Sequence, residues 1–76
     1  SSTLGTTIRF TLKEASDVSL KLYDASGRIL QTLREDRLSG GSHSLTINTA
    51  GLRNGVYFYS ISDGRNSSMK KMVVLN

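Results

Sequence analysis

Apolar and polar residues alternate along most of the chain, and a period of two is the signature of β-strands. Ile8, Phe10 and Leu12 alternate with Thr7, Arg9 and Thr11. Val18, Leu20 and Leu22 alternate with Asp17, Ser19, Lys21 and Tyr23. These runs predict strands over 6–12 and 17–24, with a short turn over Lys13 to Ser16. Asp24-Ala25-Ser26-Gly27 reads as a second turn, because Asp accepts local backbone hydrogen bonds and Gly supplies a positive φ. The run over 28–35 carries Ile29, Leu30 and Leu33 with broken alternation. Its tight spacing favours a strand in a hairpin with 17–24, with a short helix as competitor.

Residues 36–41 read as a loop hinged at Gly40-Gly41, with Leu38 tucked inward. Over 42–48, His43, Leu45 and Ile47 share one face. A connection follows over 49–55, with Leu52 as an apolar plug. Over 56–62, Tyr57, Tyr59 and Ile61 share one face, and Val56 and Phe58 the other. Apolar groups on both faces place this strand centrally. Asp63-Gly64 is a strong hairpin signal before a last strand over 67–75. The pattern predicts an all-β fold, an immunoglobulin-like antiparallel β-sandwich of about six to seven strands, with a small closed barrel second. Residues 1–5 read as a linker remnant and 6–76 as the domain, cut from a longer protein.

The chain has 76 residues, 10 Lys and Arg against 6 Asp and Glu, and a net charge of +4. Such a length supports one core and leaves little room for a deep cleft. The cations are scattered among acids rather than gathered in a stripe, which argues against nucleic acid. Only Lys70-Lys71 form an adjacent pair. There is no cysteine, and no apolar run reaches the roughly 18–20 residues of a membrane span.

Candidate chemistry is sparse. His43 is the single histidine, and no nucleophile-elbow pattern surrounds any serine. The acidic residues lack calcium-loop spacing, so Asp24 and Asp63 read as turn residues. Gly40-Gly41 lacks the lysine and helix that phosphate binding requires. Neither a catalytic centre nor a cofactor or metal is therefore expected. A carbohydrate platform would need exposed aromatics. There is no Trp, and Tyr23 is the one tyrosine whose register faces outward.

Several strings, in order, make up a larger pattern. They are Thr6-Thr7-Ile8-Arg9-Phe10-Thr11-Leu12, then Val18 through Tyr23 with Asp24-Ala25-Ser26-Gly27-Arg28, then Gly55-Val56-Tyr57-Phe58-Tyr59-Ser60-Ile61. The last is Met69-Lys70-Lys71-Met72-Val73-Val74-Leu75-Asn76. Together they resemble the C-terminal sorting domain (type A) of the type IX secretion system, found on exported proteins of Bacteroidota. Immunoglobulin-like domains of flagellar hook-capping proteins share the strand vocabulary; the terminal Lys-Lys-Met-Val-Val-Leu favours sorting. Ser1 to Gly5 lacks the proline that often precedes the first strand in the family.

The resemblance implies a non-catalytic transport signal on an N-terminal cargo domain. It implies periplasmic transit after export by a separate N-terminal signal, with no membrane insertion of the domain itself. An outer-membrane translocon would then recognise it. A sortase-like peptidase of the system would remove it, near or upstream of residues 1–5, and attach the cargo to surface lipopolysaccharide, leaving the cargo at the cell surface or outside. Strand addition would place recognition on Lys70, Lys71, Met72, Val73, Val74 and Leu75. Gly27, Gly55 and Tyr57 are assigned to the fold. The competing readings are a carbohydrate- or surface-binding module and a structural spacer.

Overall fold

The structure, a computed structural model, describes residues 5–75. The expected linker therefore lies outside the described residues except for Gly5, which opens the first strand. Six strands follow in order: β1 (Gly5–Leu12), β2 (Ser16–Tyr23), β3 (Ile29–Leu38), β4 (Gly41–Asn48), β5 (Gly55–Ser62) and β6 (Ser67–Val74). β1 pairs with β4 in one sheet, and the other runs β3-β2-β5-β6. Every pairing is antiparallel. This is the two-layer arrangement of an immunoglobulin-like sandwich.

The alternation seen in the sequence becomes a division between faces. From the smaller sheet, Ile8, Leu45 and Ile47 point inward; from the larger, Leu20, Leu22, Met72 and Val74 meet them. Phe10, Leu33, Leu52, Tyr57, Tyr59 and Ile61 pack around this cluster. β5 is flanked by β2 and β6, the central position expected from its two apolar faces.

The helix considered for 28–35 does not form; residues 29–35 belong to β3. Its broken alternation comes from two bulges. Leu20 lies opposite Arg34 while Lys21 lies opposite Thr32, which leaves Leu33 unpaired. Leu22 lies opposite Gln31 and Tyr23 opposite Ile29, which leaves Leu30 unpaired. Each bulge adds a residue and shifts the inward phase. Leu38, expected in a loop, is the last residue of β3, and Gly41 already opens β4.

The turns are held by their acids. The Asp24 carboxylate accepts the amides of Ser26 at 2.9 Å and Arg28 at 3.0 Å, and the Ser26 hydroxyl at 2.6 Å. Gly27 completes this turn at φ +91°, a conformation that side chains resist. Asp63 accepts the amides of Asn66 at 2.7 Å and Arg65 at 3.0 Å.

Tyr57 closes the connection between the sheets. Its hydroxyl donates to the carbonyl of Arg53 at 2.8 Å, the device that pins the corresponding corner in many immunoglobulin-like sandwiches. Tyr57→Phe keeps the ring packing and removes that bond. The expected cost is about 1 kcal/mol, read as a lower urea midpoint with an unchanged slope.

Candidate functional site

The turn at Asp63 reverses the chain, so β6 runs back along β5. All eight residues from Ser67 to Val74 pair with β5, from Ser62 back to Gly55, without a bulge. β6 ends the sheet and pairs on one side only. The strand period then sorts its side chains. Met72 and Val74 enter the core and are buried, Val74 completely. Lys70 lies on the same inner side, opposite Tyr59, and Lys71 on the outer side, opposite Phe58. Both lysines are exposed. Val73 shares the outer side with Lys71, opposite Val56. Leu75 lies just beyond the strand and is 65% exposed.

The six residues expected at the recognition strand are thus contiguous but of two kinds. Lys70, Lys71, Val73 and Leu75 reach solvent, while Met72 and Val74 anchor the strand. Sequence reasoning did not single out the neighbours on the outer face. Met69 is 58% exposed and Val56 38%; with Val73 they give the β5–β6 surface an apolar character. The available signal was the second apolar face of the run over 56–62.

Gly55 opens β5 at φ +150°, opposite Val74. Gly27 lies in the Asp24 turn, and Tyr57 lies opposite Met72 with its hydroxyl on the Arg53 carbonyl.

The residues considered for other chemistry are engaged in local contacts. Tyr23 is half-buried, and its hydroxyl lies 3.2 Å from that of Ser60, so it does not stand free as a stacking platform. His43 stacks on Phe10 at 5.6 Å between ring centroids, and its Nε2 lies 2.6 Å from the Ser39 carbonyl oxygen. Hydrogen bonds hold both turn carboxyls below the ordinary Asp value of 3.8. For Asp24 the Ser26 hydroxyl is the leading cause, followed by the Arg28 amide. For Asp63 it is the amides of Asn66 and Arg65. These charges are spent on their own turns. Among the described residues, no three His, Cys, Asp or Glu side chains gather into a metal-binding group.

Two hollows lie at the end of the sandwich that holds the β1–β2 and β5–β6 turns. One, of about 120 Å³, opens between Phe10, Leu12, Val18 and Ile61. That is below the roughly 300 Å³ at which small-molecule pockets begin. The other, of about 600 Å³, is an open surface hollow edged by Asp17, Arg37, Asp63 and Arg65. Asp17 there already faces Arg37 at 3.3 Å.

A family model for the secretion system C-terminal sorting domain matches residues 4–75. No curated protein and no solved structure matches the chain. The family match runs through every strand from β1 to β6 and includes the exposed lysine pair. The chain therefore belongs to the secretion system C-terminal sorting domain family, the type IX sorting domains that its own strand strings resemble.

Proposed function

We propose that this domain is read by the type IX export machinery through the open edge of β6, with Lys70, Lys71, Val73 and Leu75 as the contact residues. Met72 and Val74 hold the strand in place from behind. The observation that carries this reading is the build of β6: a regular edge strand, fixed to the core by alternate residues, with two adjacent uncompensated lysines. Among the described ion pairs, neither lysine has a carboxylate partner. Strand addition supplies affinity through main-chain hydrogen bonds and specificity through alternate side chains. The domain itself performs no chemistry in this scheme. Residues 6–76 form the signal, and 1–5 belong to the tether to an N-terminal cargo domain. The domain is engaged in the periplasm by the outer-membrane translocon. A sortase-like peptidase of the system then cuts ahead of β1 and attaches the cargo at the cell surface.

The test is a reporter fused to residues 1–76, carrying a periplasmic targeting signal, in a strain that has the type IX machinery. Reporter is expected at the surface or in the medium, and is lost in a translocon-deficient strain. Lys70→Glu with Lys71→Glu is expected to leave a folded reporter and lower its export about tenfold, equivalent to roughly 1.4 kcal/mol of recognition free energy. A folded fusion retained in the periplasm of both strains would overturn the sorting reading. Undiminished export of the double variant would overturn the role given to the lysines.

A further inference from the structure

We infer that the β6 edge is charge-selective: it refuses a second copy of this chain and accepts an extended strand bearing carboxylates opposite Lys70 and Lys71. This deepens the strand-addition reading above by naming the chemistry of the partner strand.

The two edges of the larger sheet are built differently. β3 is interrupted by the bulges at Leu30 and Leu33, and it carries the mixed charges of Arg34, Glu35, Asp36 and Arg37. Bulges and mixed charge are devices that spoil an edge for any incoming strand. β6 has an unbroken ladder with β5, so its outer edge presents a regular row of backbone groups. Its exposed positions include Met69 and Val73, 58% and 38% exposed. A regular, partly apolar edge is an aggregation hazard. On β6 the guard against it is the adjacent Lys70 and Lys71, which occupy opposite faces.

That guard is specific in what it blocks. An antiparallel copy laid on β6 must keep inner face beside inner face. The two registers that overlap nearly all of the strand then set Lys70 against Lys70, or Lys71 against Lys71. Directly opposite residues sit with Cβ atoms about 5 Å apart, where like charges repel. In either register the other two lysines lie on the two flanking rows and on the opposite face, so each face of the joint carries two ammonium groups and the directly opposed pair supplies the main repulsion. A strand with carboxylates at those positions meets the reverse situation: each register sets opposite charges face to face. The backbone edge is open to both partners, and the lysines decide between them.

The probe is a charge-swapped copy of the same 76-residue chain, Lys70→Glu with Lys71→Glu. Both substituted side chains are exposed, so the swap leaves the core untouched. By sedimentation, the native chain alone and the swapped chain alone are expected to stay monomeric at concentrations where an equimolar mixture forms a one-to-one complex. The mixed complex should be at least about tenfold tighter than either self-association. It should weaken as salt rises from about 0.1 M to about 1 M and the screening length falls from ~10 to ~3 Å. Amide exchange should slow over residues 67–74 in both chains and not over 29–38.

Lys70→Gln with Lys71→Gln removes the repulsion and is expected to self-associate where the native chain does not. If the double swap fails to fold, Lys71→Glu alone tests the outer-face register with the same readouts. Native chain that dimerises through β6, a mixture of folded chains that stays monomeric, or protection that falls elsewhere each overturns the inference. None of these measurements involves the export machinery, so their failure is separable from failure of the sorting reading.

Discussion

Leu20→Ala is expected to bring the domain close to unfolding at room temperature. Leu20 is 2% exposed in the main core cluster, and its strand is held on both sides, opposite Arg34 in β3 and Ile61 in β5. Ladders on both flanks prevent the backbone from collapsing into the cavity. The cost therefore belongs in the upper part of the roughly 2–5 kcal/mol typical of such truncations. A chain of this size has only about 4–11 kcal/mol in total. The melting temperature is expected to fall by more than about 10 °C. Leu30→Ala is the matched control, because Leu30 is 42% exposed on a bulge. Its expected change is within about 0.5 kcal/mol, and equal losses for the two variants would contradict a core centred on Leu20.

Removing residues 69–76 is expected to abolish folding altogether. The cut takes Met72 and Val74 out of the core and strips β5 of its partner from Gly55 to Ser60. Far-ultraviolet circular dichroism should show a disordered chain with no cooperative melt. A cooperative transition in the truncated protein would show that β6 is dispensable for the core. The consequence for function is practical. Loss of export after such a deletion reports the fold and the recognition surface together, whereas exchange of Lys70 and Lys71 reports the surface alone.

The strands were legible in the sequence wherever one face is buried and the ladder is regular. In β2, Val18, Leu20 and Leu22 alternate cleanly because their strand crosses the middle of the larger sheet. β3 was harder to read. Its two bulges each add a residue, so Leu30 and Leu33 fall out of phase and mimic a helical spacing. Pairing with β2 decides that stretch, and pairing is a long-range property that a local window does not contain. The candidate strand was visible as a string, Met69 to Leu75. Its division into anchors and exposed contacts needed the register against β5, which places Met72 opposite Tyr57 and Lys71 opposite Phe58. The Tyr57 hydroxyl bond to Arg53 was hidden for a similar reason: a tyrosine on an inward register reads simply as core until the corner upstream is located.

The position of the two chain ends has a mechanical consequence. Gly5 pairs with Asn48, Val74 pairs with Gly55, and residues 49–54 join those partners. Both ends therefore leave from the same end of the sandwich, one from each layer, and layers of this kind lie about 10 Å apart. Because the two ends sit at one end of the sandwich and in different layers, tension drawing them apart acts across the strands rather than along them. It loads the ladders one pair at a time from Val74 and from Gly5, as a zipper opens, instead of shearing eight pairs together. The domain is thus built to resist thermal unfolding through its core while yielding readily to a pull on its two ends.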